Sequence, residues 1–205
     1  MKVLMINGSP NEKGCTYTAL SEIASVLREN GVDSEIYHIG KEPVRGCIAC
    51  GACAGKGRCV FDDGVNVVLG KLDSCDGLIV GSPVHYASPA GSLLALLDRV
   101  FYCGRNYEYK PAAAIVSARR GGTTAAIDAL NKYFTKSQMP VVSSTYWNMV
   151  HGNRPEDVLQ DTEGLQSMRN LGRNMAWLLR CIQAGREIGV LPPVAERDNR
   201  TNFIR

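Results

Sequence analysis

The sequence predicts an α/β fold in which a parallel sheet is covered by helices on both faces. Five short runs rich in apolar and β-branched residues alternate with longer segments whose apolar residues recur at helical spacing. Parallel neighbours need a crossover connection, and right-handed crossovers place helices on both faces of a sheet. A chain of 205 residues is also long enough to bury the core of one such domain.

Two strands and two helices are predicted in the first part of the chain. Residues 2–6 form an apolar run that ends in a Gly-Ser-Pro turn, and apolar residues at helical spacing follow Gly14. Residues 33–39 alternate polar and apolar side chains, as a strand near a sheet edge does. Two aspartates at 62 and 63 stand where they can cap a helix over 65–72.

Three more strands and three more helices are predicted after residue 76. The strands are 77–81, 111–117 and 141–146, and the helices are 89–103, 125–136 and 163–184. Five strands favour the order 2-1-3-4-5, with a site outside the carboxyl ends of strands one and three, where the order reverses. No repeat or linker indicates a second domain, so we expect one domain over 1–205, with a cysteine-rich insertion at 43–63 and an irregular tail at 189–205.

The composition and net charge limit the kinds of molecule that the protein is expected to bind. A net charge of +3, from 23 basic and 20 acidic residues, is too small and too mixed to favour nucleic acid or an anionic membrane. The sequence opens without the basic and apolar regions of a signal peptide, and its apolar stretches are far shorter than the roughly 18 residues that span a bilayer. We therefore expect a cytoplasmic protein that acts on a small molecule.

The loop after the first strand has the character of an anion site. Its sequence GSPNEKGCT places Ser9, Asn11 and Thr16 beside the N-terminus of the first predicted helix. It matches neither the nucleoside triphosphatase loop nor the dinucleotide-binding turn, and it suits a tightly held monophosphate. The alternative interpretation is an ordinary Gly-Pro turn with a Ser or Asn cap.

Two further loops follow strands at the same predicted edge, at 82–88 and 117–122. Pro83 and Tyr86 offer an apolar wall and an aromatic face to a flat ring, and Gly121 and Gly122 allow backbone to approach the edge of such a ring. Tyr86 also suits an ordinary surface position, and a single histidine such as His85 is more often structural.

Four of the eight cysteines lie within thirteen residues, which suggests metal or redox chemistry before disulfides. Cys47, Cys50, Cys53 and Cys59, at spacings of two, two and five, suit the ligand set of a [4Fe-4S] cluster. Zinc is a second interpretation, although structural zinc usually uses two more widely separated pairs. The third is a metal-free loop, since free cysteine is also a small core residue.

These motifs together resemble a known family. The segments GSPNEKGCT and GSPVHYASPAGSLLALLDR, with the cysteines between them, are similar to the NAD(P)H-dependent FMN reductase branch of the flavodoxin superfamily. The cysteine spacing is especially similar to that of the iron-sulfur flavoproteins within this branch. The resemblance implies a flavodoxin-like three-layer sandwich, FMN as cofactor and NAD(P)H as co-substrate.

The resemblance also implies which residues hold the cofactor. Ser9, Asn11 and Thr16 would bind the phosphate, 83–88 would run along the flavin ring, and 117–122 would complete the pocket. The full set of implied FMN-binding residues is Ser9, Asn11, Gly14, Cys15, Thr16, Pro83, Val84, His85, Tyr86, Ser88, Ser117, Arg119, Gly121 and Gly122. The candidates for contact with substrate are His85, Tyr86, Arg119 and Trp147, and no catalytic acid or base is demanded.

Three functions remain open at this point. The first is an FMN-dependent reductase that passes electrons from NAD(P)H to a quinone, flavin, nitro or azo compound. The second is an iron-sulfur electron carrier that exchanges electrons with a ferredoxin-like partner through a [4Fe-4S] cluster. The third is a non-catalytic redox sensor based on FMN or on the cysteines. In each case the resemblance implies a homodimer or homotetramer.

Overall fold

A parallel sheet forms the middle layer of the protein. The computed structural model describes residues 1–103, 105–199, 201 and 203. The parallel strands are β1 (Lys2–Asn7), β2 (Asp33–His38), β3 (Gly77–His85), β5 (Ala112–Ala118) and β6 (Met149–His151), in the spatial order β2-β1-β3-β5-β6. A two-residue strand, β4 (Ser88–Pro89), turns back antiparallel to the end of β3. Counted along the parallel strands, the order is the predicted 2-1-3-4-5.

Helices cover both faces of the sheet and confirm the three-layer prediction. They are α1 (Cys15–Glu29), α2 (Gly64–Asp73), α3 (Gly91–Tyr102), α4 (Thr123–Lys136), α5 (Pro155–Gln160) and α6 (Thr162–Glu187). One core cluster joins α2, α3 and α4 to one face, and the other joins α1, α5 and α6 to the opposite face. The central strand β3 is buried on both faces over its first six residues, which explains its continuous apolar sequence.

The prediction of a strand over residues 141–146 is wrong. Only Val141 forms a bridge to Ala112, and the fifth parallel strand is Met149–His151. The segment between them runs along α6: the Ser144 hydroxyl donates to the Ser167 carbonyl at 2.6 Å, and Asn174 donates to the Ser143 carbonyl at 2.8 Å. Its polar residues therefore bond to a helix instead of pairing with β5.

The helix ends show how well local signals predict boundaries. Asp63 caps α2 by accepting a hydrogen bond from the backbone N–H of Val65 at 3.1 Å, as its position in the sequence indicates. Asp161 caps α6 in the same way, through the N–H of Gly164 at 2.9 Å. The short helix α5 was not predicted. None of the described helices is both long and apolar enough to cross a membrane.

The C-terminal segment leaves the sandwich after α6. It carries no helix or strand between Val190 and Asn199. The Tyr109 hydroxyl donates to the carbonyl of Pro193 at 3.0 Å, and Arg197 pairs with Glu108, so this segment lies near the loop before β5. Of the tail predicted over 189–205, residues 200, 202, 204 and 205 lie outside the described part of the chain.

The buried face of α6 should carry much of the stability. Met168 is fully buried, and its replacement by alanine is expected to lower the free energy of unfolding by about 2–5 kcal/mol, because a cavity would remain. Arg180 is exposed on the same helix, and Arg180→Ala should change the free energy by no more than about 0.5 kcal/mol. Urea unfolding followed by circular dichroism measures both. Equal losses would show that α6 is not packed as described.

Candidate functional site

A groove of about 880 Å³ lies outside the carboxyl ends of the central strands. Its walls come from the loop after β1, the ends of β3 and β5, and the segment after β6. This is where the strand order reverses, the usual position of a ligand site in an open α/β sheet. The volume is in the range of small-molecule and cofactor sites.

Backbone packing fixes the start of the loop after β1. The Gly8 N–H donates to the carbonyl of Gly81 at 2.8 Å, which extends the contact between β1 and β3. A Cβ atom at Gly8 would lie 2.5 Å from Cδ2 of Leu93, so no side chain fits there. The side chain of Asn7 holds the loop further on, since its amide donates to the carbonyl of Glu12 at 2.9 Å. The loop is therefore rigid where it leaves the sheet.

The N-terminus of α1 opens into the groove without a cap. Gly14 is its N-cap residue, and no side chain of the described structure caps it. The first N–H groups of an α-helix have no partner within the helix, and together with the helix dipole they attract an anion. The Ser9 hydroxyl accepts a hydrogen bond from the N–H of Asn11 at 3.1 Å, and among the described residues no acceptor takes its own proton, which can therefore be donated to a ligand. This end of the groove is built to hold a negative group.

Two side-chain bonds join the loop and the first turn of α1 to neighbouring strands. The hydroxyls of Thr16 and Ser117 lie 2.9 Å apart, and both residues are buried. On the other side, Nε2 of His38 lies 2.8 Å from the carbonyl oxygen of Ser9. The groove thus has one wall tied to β5 and another tied to β2.

Most of the residues singled out in the sequence line this groove. They are Ser9, Asn11, Gly14, Cys15, Thr16, Pro83, Val84, His85, Ser117 and Arg119. The Cys15 sulfur donates to the carbonyl of Gly152 at 3.6 Å, and burial raises the pKa of Cys15, so it is held as a thiol.

Other sequence candidates lie off the groove wall. Tyr86 is fully exposed at the tip of the β3–β4 hairpin, with a positive φ of 59° that is uncommon for a non-glycine residue. Ser88 is exposed on β4, and Gly122 caps α4 with φ of 88°. Gly121 is exposed beside it and is also absent from the wall. Trp147 packs edge-on against Tyr146 and borders a separate small pocket.

The segment after β6 supplies residues that sequence reasoning missed. Asn153 and Arg154 line the groove, and their backbone N–H groups donate to Asp157 at 2.9 and 3.0 Å. His38, the last residue of β2, and Lys41, which follows that strand, were also missed. The signal that marks these residues is that both segments lie where a strand ends at the same sheet edge. Four exposed basic residues, Lys13, Lys41, Arg119 and Arg154, now surround the groove.

The four clustered cysteines line one small apolar cavity beside α3. Cys47 and Cys50 are exposed, and Cys53 and Cys59 are half-buried. The loop that carries them turns tightly, with positive φ angles at Ala49, Gly51, Gly55 and Gly57. The cavity is narrow, about 20 Å³, and its wall includes the exposed Cys47 and Cys50.

A fifth cysteine borders the same cavity. Cys103 is buried just after α3 and lines the cavity together with Cys53 and Cys59. Burial, with a smaller effect of the neighbouring Cys53 and Cys59, raises the pKa of Cys103 to about 12. The Cys103 side chain is therefore a protonated thiol at neutral pH.

Cys59 is the most firmly held of the four. Its backbone N–H donates to the side-chain oxygen of Asn66 at 2.9 Å, and its carbonyl accepts from the Asn66 amide at 3.1 Å. Its sulfur lies 3.1 Å from a terminal nitrogen of Arg99, a buried residue of α3. Burial alone would lower the pKa of Arg99, but its bonds to Asp63 and Cys59 raise it, so the guanidinium is charged.

The donor spacing tests the zinc interpretation. Among the described residues, no three His, Cys, Asp or Glu side chains lie close enough to share one metal ion. Zinc–sulfur bonds of about 2.3 Å would require the four sulfurs to lie within about 4 Å of one another. The described cysteine sulfurs are therefore not arranged as a preformed zinc site.

Comparison with known proteins agrees with this geometry. The sequence model of the NADPH-dependent FMN reductase family matches residues 1–154. An iron-sulfur flavoprotein of Methanocaldococcus jannaschii is 30% identical over 192 residues, which are 89% of this chain and 100% of that protein. The resemblance inferred from the motifs is confirmed.

Solved structures confirm the flavodoxin-like fold. A structure of RosB with a bound intermediate, 8-demethyl-8-formylriboflavin-5'-phosphate, aligns with a TM-score of 0.70 at 15% identity, over 100% of this chain and 94% of that one. A flavodoxin from the domain Archaea aligns with a TM-score of 0.60 at 15% identity, over 88% of this chain and 99% of the flavodoxin.

The thiols should differ in reactivity when the protein is prepared free of metal. We expect iodoacetamide to modify the exposed thiols of Cys47, Cys50 and Cys181 first, and Cys103 last, because Cys103 is buried and protonated at mildly alkaline pH. Mass spectrometry of the peptides gives the order, and labelling in denaturant provides the reference in which all sites react. Early labelling of Cys103 in the folded protein would contradict the described cavity.

Proposed function

This chain belongs to the NADPH-dependent FMN reductase family and has an iron-sulfur flavoprotein among its relatives, and we propose that it is an FMN-dependent oxidoreductase supplied with hydride by NAD(P)H. The observation that carries this proposal is the uncapped N-terminus of α1 at the floor of the groove. The phosphate of FMN can accept hydrogen bonds from the uncapped N–H groups of α1 and from the hydroxyl of Ser9, and the rigid loop holds these donors in place.

The groove residues would bind and orient the cofactor. Ser9, Asn11 and the first N–H groups of α1 hold the phosphate, and Pro83 and Val84 give an apolar surface to the ring. When bound, FMN supplies the capacity to take two electrons as hydride and to release them, so the protein needs no acid or base of its own. The basic residues Lys41, Arg119 and Arg154 at the rim suit the phosphates of a nicotinamide dinucleotide.

A second activity is favoured by the cysteine cavity. Four cysteines at a cluster spacing line one cavity, and the cation of Arg99 lies against one of their sulfurs. We propose that Cys47, Cys50, Cys53 and Cys59 hold a [4Fe-4S] cluster, which exchanges single electrons. The protein would then pass electrons from NAD(P)H to a redox protein such as a ferredoxin, as well as to small acceptors.

The acceptor and the assembly belong to the same proposal. A quinone, flavin, nitro or azo compound would enter the open groove beside His85 and Arg119, which both line it. A homodimer or homotetramer is part of this proposal. The apolar face of α3 packs against the sheet, and Tyr102, which is 63% exposed, is a large apolar side chain of that helix that a subunit contact could cover.

One experiment separates the three functions. Freshly purified protein is examined under anaerobic conditions by visible spectroscopy and by iron, sulfide and zinc analysis, before and after addition of NADH or NADPH. Flavin bands with about four irons per chain, reduced by the nicotinamide, support the electron carrier. Flavin bands without iron, with turnover of an added quinone, support a simple reductase. Bound flavin with no oxidation of NAD(P)H supports the sensor, and failure to bind added FMN refutes the proposal.

Ser9 should contribute directly to FMN affinity. Ser9→Ala removes a hydroxyl from the phosphate end of the groove, and we expect FMN to bind about 10- to 100-fold more weakly, because a hydrogen bond to a charged group contributes about 1.5–3 kcal/mol. Ser143→Ala is the matched control, since Ser143 is exposed and lies off the groove wall. Fluorescence titration of the flavin-free protein measures both. Equal weakening in the two variants would place the phosphate elsewhere.

Cys59 should be required for the cluster. We expect Cys59→Ser to lose most of the bound iron and sulfide after anaerobic reconstitution, since the best-ordered of the four thiols is replaced by a poor iron ligand. Cys181→Ser, at an exposed position on α6, should retain the wild-type iron content. A Cys59→Ser protein with full iron content would remove this residue from the ligand set.

A further inference from the structure

Among the residues that the structure describes, Arg99 is the largest fully buried side chain, and all three of its nitrogens donate hydrogen bonds. Nε and one terminal nitrogen donate to the sulfur of Cys59 at 3.4 and 3.1 Å. The terminal nitrogens donate to the two oxygens of Asp63 at 2.7 and 3.0 Å, and one of them also donates to the carbonyl of Arg45 at 3.1 Å. Five N–H groups therefore meet one sulfur, one carboxylate and one carbonyl.

A purely structural role accounts for only part of this arrangement. The ion pair with Asp63 joins α3 to the N-terminus of α2 and compensates the buried charge. The link between α3 and α2 does not need the two hydrogen bonds that Arg99 donates to the sulfur of Cys59. A neutral thiol is a weak acceptor, whereas a thiolate or a metal-bound sulfur accepts charge-assisted bonds well. Nε and one terminal nitrogen form the edge of the Arg99 guanidinium that faces the sulfur of Cys59, where negative charge is expected to concentrate.

We propose that Arg99 is a positioning residue that sets the reduction potential and the retention of the group held in the cysteine cavity. This inference rests on the proposed function. If Cys47, Cys50, Cys53 and Cys59 hold the cluster, its reduction by one electron would form and break no bond and would add one negative charge to the cluster and its thiolates. The buried cation of Arg99, with two N–H groups on the sulfur of Cys59, would stabilise that added charge and so raise the potential. The same hydrogen bonds hold Cys59 in place and would slow the loss of iron.

Three variants separate the contact from the charge. Arg99→Gln removes the cation and the fork. Arg99→Lys keeps a cation for Asp63, but its single ammonium cannot make paired bonds to both the carboxylate and the sulfur. Arg45→Gln is the matched control, because the Arg45 guanidinium lies over the same Phe61 ring, at 4.7 Å against 5.3 Å for Arg99, and donates to no cysteine sulfur among the described contacts.

The protein and its variants are reconstituted anaerobically with ferrous iron and sulfide. The midpoint potential is measured by a redox titration followed by electron paramagnetic resonance, and iron loss is followed as the rate of transfer to a chelator. We expect the reduction equilibrium of Arg99→Gln to fall at least tenfold, which for one electron is about 59 mV toward negative potential. Arg99→Lys should lie between this variant and the wild type, both should lose iron faster, and Arg45→Gln should match the wild type.

The outcomes distinguish the inference from the function on which it rests. Wild-type protein that takes up no iron and sulfide refutes the cluster, and the inference with it. A wild-type cluster whose potential and iron loss are unchanged in Arg99→Gln overturns the inference alone, and so does an equal shift in Arg45→Gln. If circular dichroism shows that Arg99→Gln does not fold, Arg99→Lys decides by the same two measurements, because it keeps the ion pair with Asp63.

Discussion

The close approach of β1 and β3, where the strand order reverses, is the constraint on which the groove depends. The bond from the Gly8 N–H to the Gly81 carbonyl, at 2.8 Å, continues the contact of the two strands beyond Asn7. Because Leu93 fills the space that a side chain at Gly8 would need, the chain leaves the sheet as bare backbone. It then turns directly into α1, and the unpartnered N–H groups of that helix face the groove. The affinity for an anion thus follows from how the core is packed.

The sheet could be predicted because its buried strands carry their own signal. β1, β3 and β5 lie between two layers of helices, so nearly every residue in them is apolar, and their order follows from the crossovers. The fifth strand could not be predicted in this way. It has three residues, and the β-rich run before it bonds to α6, which is distant in sequence. Pairing between distant segments outweighed local propensity at that point.

The site was predictable to the extent that it depends on the ends of strands. The loop after β1 and the first residues after β3 were found because they follow buried strands at one edge. The position of Tyr86 depends on the hairpin between β3 and β4, which carries the ring out to solvent, and no sequence pattern indicates so short a strand. Arg154 reaches the groove only because β6 ends later than the sequence suggested. The parts that were missed depend on where connections go after they leave the sheet.

One helix joins the two proposed centres. Leu93 of α3 packs against Gly8 at the start of the phosphate loop, and Arg99 of the same helix contacts the sulfur of Cys59. Leu93 and Arg99 are six positions apart in this helix, which places their Cα atoms about 9 Å apart along the helix axis. The cysteine loop has little regular structure, so its position relative to the groove depends on this helix and on the bonds that tie Cys59 to α2 and α3. Since α3 is packed along its length against the sheet, the two centres are held at a fixed separation by the core and not by the loop.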